Sequence, residues 1–310
     1  MYKVRSRAPL RLGFGGGGTD ISSYCDKFGG YVLNSTINHY AYTIIKPKKE
    51  YFLEIISSDL KTSFIYKENG PIKLEGDLKI FKAVYNHMIK FFNQNKLLNV
   101  EITSFCSMPP GSGLGSSSTI VVSLIKGFVE FFNLPMDNLE IAKLAFKIER
   151  IDCGLNGGKQ DQYSASCGGF NFMEFYDKDR TIVNPLRIKN WIICELEASL
   201  VLYFTGKSRN SADIINDQVK NVDQGESNSI EAMHKMKEQS LVMKEALLCG
   251  NFQMFINSMK IAWESKKASS SSVTNYKINQ IYDSAISDGA LAGKLSGAGG
   301  GGFMMFFVPP

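Results

Sequence analysis

Residues Pro109-Pro110-Gly111-Ser112-Gly113-Leu114-Gly115-Ser116-Ser117-Ser118-Thr119 form a glycine- and serine-rich turn that runs straight into the apolar segment Ile120 to Phe132. Glycine lets a backbone bend tightly and bring its N–H groups close to a ligand, and a helix start adds unsatisfied donors and the positive end of a dipole. Such a stretch suits an anion, and its hydroxyls suit phosphate oxygens or a hard cation such as Mg2+. A flexible loop ahead of a serine-capped helix accounts for the same residues more plainly. A second acid-bearing stretch is Gly13-Phe14-Gly15-Gly16-Gly17-Gly18-Thr19-Asp20. There a carboxylate on a glycine loop suits polyol hydroxyls, while an Asp capping a helix from Ile21 is the structural alternative. A third is Gly157-Gly158-Lys159-Gln160-Asp161-Gln162-Tyr163, where Asp161, in a polar glycine-led helix start, is placed either to abstract a proton or only to complement the helix dipole.

Two common nucleotide motifs are excluded. The loop at 109–119 lacks the lysine of a P-loop, and the one Gly-Lys-Ser, at Gly206-Lys207-Ser208, has Val201 where the leading glycine belongs. Gly13, Gly15 and Gly18 formally satisfy G-x-G-x-x-G, but the region that follows, Gly30 to Lys46, reads as one long strand instead of the second half of a βαβ unit.

The elements that must hold these groups can be read from periodicity. Lys3 to Ala8 alternates as a strand ending at Pro9. Strand-like runs follow at Tyr31 to Lys46, Tyr51 to Ser57, Thr62 to Tyr66 and Asn99 to Phe105. Ile80, Phe81, Val84, Tyr85, Met88, Ile89 and Phe92 mark an amphipathic helix. A helix over Asn138 to Ile151 carries Glu149, and Leu200 to Phe204 is a short strand entering a basic turn. In that turn Lys207 and Arg209 are candidates for holding a substrate phosphate, or sit in a solvated turn. Helical patterns at Ile230 to Leu248, Phe252 to Glu264 and Tyr276 to Ser287 precede a last glycine run, Gly293 to Gly302, and the strand Phe303 to Val308.

A chain of 310 residues with 44% hydrophobic and 21% charged residues has the composition of a soluble globular protein. The net charge of +5 comes from scattered residues, which argues against nucleic acid. Cys25, Cys106, Cys153, Cys167, Cys194 and Cys249 lie far apart without a C-x-x-C pair, so no zinc site or disulfide framework is expected. His39 and His87 have no second metal-type residue at ligand spacing. No apolar run reaches membrane-spanning length and the N-terminus has no signal-peptide core, which places the protein in the cytoplasm, off the membrane. A homodimer is compatible with the sequence, which does not fix the oligomeric state.

Three motifs in order resemble those of the GHMP kinases, the superfamily of galactokinase and of homoserine, mevalonate and phosphomevalonate kinases. They are Pro9-Leu10-Arg11-Leu12-Gly13 leading to Thr19-Asp20, the loop Pro109 to Ser118, and the glycine run Gly293 to Gly302. The run Gly158-Lys159-Gln160-Asp161-Gln162 followed by Gly168-Gly169-Phe170-Asn171-Phe172 is similar to the heptose kinase and fucose kinase branch. The resemblance implies an α+β fold in two lobes. Residues 1–190 would form an N-terminal ATP-binding domain with a mixed sheet and helices (ribosomal protein S5 domain 2-like), and 191–310 a ferredoxin-like C-terminal lobe. It implies ATP and Mg2+ as cofactors, with Pro110, Gly111, Ser112, Gly113, Leu114, Gly115, Ser116, Ser117, Ser118 and Gly299 at the nucleotide, and Ser117 and Glu149 at the metal. Asp161 would be the base, Arg11 would stand near the attacking hydroxyl, and Gly16, Gly17, Gly18, Thr19 and Asp20 would line the sugar pocket. The implied reaction is phosphorylation of the anomeric hydroxyl of a heptose 7-phosphate, on the way to a GDP-heptose for surface polysaccharide. L-fucose or another free sugar is the alternative acceptor, and a non-catalytic sugar-binding regulator is the alternative of another class. The resemblance also implies a further helix after Pro310.

Overall fold

The computed structural model describes residues 2–49, 52–68, 70–206 and 211–309. Strand β1 (Val4–Gly15) leads through helix α1 (Ser22–Phe28) into the long β2 (Gly30–Pro47), and β3 (Leu53–Ser57) and β4 (Thr62–Tyr66) form a hairpin. Helix α2 (Lys79–Phe92) buries Phe81, Val84, Tyr85, Met88 and Ile89, spaced three or four apart as an amphipathic face requires. After β5 (Val100–Cys106), helix α3 (Ser116–Phe132) buries Val121, Val122, Leu124, Ile125 and Phe128. Helices α4 (Asn138–Phe146) and α5 (Gln160–Cys167) precede β6 (Phe170–Phe175) and β7 (Thr181–Pro185). The seven strands form one mixed sheet in the order β4-β3-β5-β2-β6-β7, with β1 on β2 and only β3 and β5 parallel. Its core joins Ile45, Ile55 and Ile102 to α2 and α3.

Helix α6 (Asn190–Ser199) and β8 (Leu200–Phe204) come next, followed by α7 (Ser211–Asp223), α8 (Ser227–Cys249), α9 (Phe252–Ser269) and α10 (Tyr276–Ser287). Strands β9 (Ala292–Leu295) and β10 (Phe303–Phe307) complete a small antiparallel sheet, β8-β10-β9. The lobes share a core in which Leu10, Leu12, Phe14 and Leu33 meet Met243, Phe255, Met259 and Phe307.

Two local expectations are corrected. The first strand does not stop at Pro9 but continues to Gly15, with a register shift between Pro9 and Arg11 opposite Tyr40 and Thr36. Proline has no N–H for a ladder and is tolerated at a bulge, and the bulge re-aims the residues after it. Arg11 is 4% exposed, its guanidinium covered by Asp161, Gly113 and Ser296. The helix expected over Asn138–Ile151 is α-helical only to Phe146; Lys147–Asp152 is a π-helical turn. Its wider winding buries Ile148 and Glu149 together, and such turns occur mostly where a side chain must be re-aimed. Lys207 and Arg209 lie outside the described residues, as does Tyr51, the expected start of β3.

Candidate active site

The glycine-serine loop reaches α3 without a side-chain cap: Gly115 takes the cap position at φ +79°. The first helical N–H groups therefore stay open toward a cavity of ≈ 440 Å³, on whose wall Gly111, Gly113, Gly115 and Ser116 to Ser118 lie. Leu114 points into the core and Ser112 is fully buried, so these two hold the loop and do not line the cavity. The last glycine run braces the loop from behind: Phe303 N donates to Ser112 O at 2.9 Å and Ser296 Oγ to Gly113 O at 3.0 Å. A Cβ on Gly113 would lie 2.6 Å from Ser296 O, closer than any side chain tolerates. Gly299 packs against Val273, and the cavity wall there is Gly297 and Ala298.

Arg11 and Asp161, 150 residues apart in sequence, meet at the cavity. Arg11 Nε donates to Asp161 Oδ1 at 2.7 Å and its NH2 group stands 2.6 Å from the same oxygen. Its NH1 group donates to Gly113 O at 2.7 Å and to Ser296 Oγ at 3.4 Å. Both contacts to Asp161 fall on Oδ1, which leaves Oδ2, beside Gly115, without a partner among the described residues and open to take a proton.

Asp20 is 1% exposed and does not cap α1. Its Oδ1 accepts from Gly18 N and from Gln160 Nε2, and its Oδ2 from Gln160 N, all at 3.0 Å. A carboxylate offers about four acceptor sites, so one remains on Oδ2, and Asp20 can take one acceptor hydroxyl instead of two. Gly17 and Gly18 line the cavity beside it. Gly16 and Thr19 do not: Thr19 Oγ1 donates to Gly16 O at 2.8 Å and accepts from Tyr31 N at 3.1 Å, which pins the turn to β2.

On the loop side Ser117 Oγ donates to Glu149 Oε1 at 2.8 Å. Gln162 Nε2 donates to Glu149 Oε2 at 2.6 Å and to Ser118 Oγ at 3.1 Å, and Arg150 reaches Ser118 Oγ at 3.2 Å. Gln162 Oε1 and Arg150 Nε are buried with no partner among the described residues.

Arg150 and Lys266 carry no local sequence signal, and Gln162 and Lys294, though within runs singled out above, carry none for the contacts they make. Gln162 and Arg150 sit beside expected site residues, but only folding turns them inward. Lys294 donates to Gly13 O and Phe14 O at 3.0 and 2.7 Å, tying β9 to β1; burial pushes its ammonium well below the usual lysine range. Lys266 on α9 lines the cavity and donates to Gly297 O. Burial pushes it down to about 8, the Arg11 charge adds to the shift, and Asp20 and Asp161 oppose it.

Residues 79–169 match the GHMP kinases N terminal domain and residues 243–310 the GHMP kinases C terminal domain. Over all 310 residues the chain is 48% identical to a D-glycero-alpha-D-manno-heptose 7-phosphate kinase of Campylobacter jejuni, covering 91% of that protein. A D-glycero-D-manno-heptose 1-phosphate kinase from Bacteroides thetaiotaomicron superimposes with a TM-score of 0.82 at 42% identity, over 99% of this chain and 89% of that one. The L-fucokinase/L-fucose-1-P guanylyltransferase of Bacteroides fragilis is 28% identical over 97% of this chain, which spans 34% of that longer protein. With both domain matches in order and this identity along its whole length, the chain belongs to the GHMP kinases.

Proposed function

We propose that the protein transfers the γ-phosphoryl group of ATP to the anomeric hydroxyl of D-glycero-D-manno-heptose 7-phosphate, giving the 1,7-bisphosphate. One observation carries the reading: Asp161, gripped through one oxygen by Arg11, lines one cavity together with the uncapped start of α3 and the carboxylate of Asp20. A phosphorylated heptose is favoured as acceptor because the Campylobacter jejuni and Bacteroides thetaiotaomicron relatives are named for one, the 7-phosphate and the 1-phosphate respectively.

In the proposed mechanism the loop amides hold the phosphates and Asp20 Oδ2 with Gln160 orients the sugar. The anomeric oxygen attacks the γ-phosphorus as its proton passes to Asp161 Oδ2, and the bond to the β–γ bridging oxygen breaks, its electron pair leaving with ADP. Positioning and electrostatics supply most of the acceleration in such transfers, and Arg11 faces the developing charge. The residues also fit a magnesium ion. Ser117 Oγ and Glu149 Oε1 are hard oxygens 2.8 Å apart at the loop, and the orphaned Gln162 Oε1 beside them suits a metal-bound water. A bound magnesium would neutralise phosphate charge there. On sequence alone Lys207 and Arg209 are proposed for the sugar's own phosphate.

Glu149→Gln is expected to raise the Mg2+ concentration for half-maximal rate by about tenfold or more; an unchanged Mg2+ titration would remove Glu149 from this role. The function itself is tested by incubating the protein with Mg-ATP and heptose 7-phosphate, heptose 1-phosphate, free heptose, L-fucose and galactose. ADP release and phosphorus NMR of the product are then followed. A new anomeric phosphate from the 7-phosphate alone is expected. Preference for a free sugar would keep the kinase and replace the acceptor, and no turnover on any sugar would turn the reading to a sugar-binding regulator.

A further inference from the structure

Lys266 is 4% exposed yet forms part of the wall of the cavity that holds Arg11, Asp20 and Asp161. An ammonium has three donors, and this one spends a single hydrogen bond on a neutral acceptor, Gly297 O. Among the described residues no carboxylate lies within ion-pair reach of it. Burying a charge without a paired partner is costly, so a lysine kept this way has a use that folding does not supply. Lys294, the other buried lysine near the cavity, is a contrast: it binds two backbone carbonyls and is absent from the cavity wall.

The surroundings locate that use. Lys266 shares the cavity wall with Arg11, Asp20 and Asp161, and those three are the charges that act on it. Consecutive residues hold the two cations: Ser296 Oγ accepts from Arg11 and Gly297 O from Lys266. Arg11 has most of its five N–H groups engaged by Asp161, Gly113 and Ser296, whereas Lys266 retains two.

We infer that Lys266 is a catalytic residue, its ammonium donating a hydrogen bond to the acceptor oxygen that attacks the γ-phosphorus. The inference rests on the kinase reading above. As the new oxygen–phosphorus bond forms and the proton passes to Asp161, negative charge grows on that oxygen, and a positioned cation in a water-poor site lowers its energy most at that moment. Lys266 keeps all its protons throughout.

The test is steady-state kinetics and thermal melting of Lys266→Met and Lys266→Gln beside the wild type, on whichever sugar of the panel the wild type uses. Methionine keeps the volume and removes the buried charge. The expected result is a kcat about 100-fold lower in both variants, with the KM for ATP within threefold and the melting temperature equal to the wild type's or higher. A kcat within threefold of wild type in either variant overturns the inference. So do variants that melt lower or fail to fold, because the lysine would then be holding Gly297 and not the acceptor. Absence of turnover by the wild type on every sugar would instead fell the kinase reading, and this inference with it.

Discussion

Asp161→Asn is expected to lower kcat by about 1,000-fold, the middle of the range for loss of a general base. The KM for ATP should stay within threefold. Asparagine matches aspartate in shape, and its carbonyl oxygen can still accept both Arg11 groups that now converge on Oδ1. What it loses is the ability to take a proton on the other atom. The change removes the carboxylate charge opposite an arginine only 5% exposed in its side chain, so some stability goes too, roughly 1–3 kcal/mol for hydrogen bonds to a charged group. At this chain length that is a shift of only a few degrees. A rate assay above the substrate KM, paired with a melting curve, separates the two effects. Should kcat stay within tenfold of wild type while the protein remains folded, Asp161 is not the base.

The second large effect concerns the turn that presents Asp20. Gly16 has φ +75°, and a Cβ added there would lie 1.7 Å from the backbone carbonyl oxygen of Tyr31. Neither side can yield, since Thr19 Oγ1 bonds both Gly16 O and the Tyr31 backbone and Tyr31 lies within the paired strand β2. Gly16→Ala combines a left-handed backbone with an overlap against main chain, and we expect a loss of about 3–5 kcal/mol, seen as a melting temperature lower by about 6–10 °C. Gly17→Ala is the control, because its Cβ would meet nothing closer than Gln160 Nε2 at 3.5 Å. Equal melting temperatures for the two variants would refute the argument.

Much of this protein is legible without coordinates because it is written in local pattern. The amphipathic spacing of α2, the alternation of β4 and the glycine-serine run before α3 depend on interactions a few residues apart. Glycine loops declare themselves because only glycine tolerates the φ values and close approaches they use, as at Gly113 against Ser296. From those loops and the acids beside them the family, the two-lobed fold and the residues to examine could be drawn.

What the tertiary structure alone decided is which groups meet and which atoms remain free. Arg11 reaches Asp161, 150 residues away, only once β1 and α5 are packed together, and nothing beside Arg11 in the sequence names that partner. Glu149 faces Ser117 through a π-helical turn that helical periodicity reads as plain α-helix. Asp20 keeps one acceptor site because Gln160 and Gly18 occupy the others. Lys266 comes from a helical pattern and Lys294 from the last glycine run, neither of which marks it as buried, and each is buried by contact with a segment far away in sequence. Periodicity reports which face of an element is apolar; it carries no information on which distant carbonyl or carboxylate will stand opposite a charged side chain, and that juxtaposition is what makes the site.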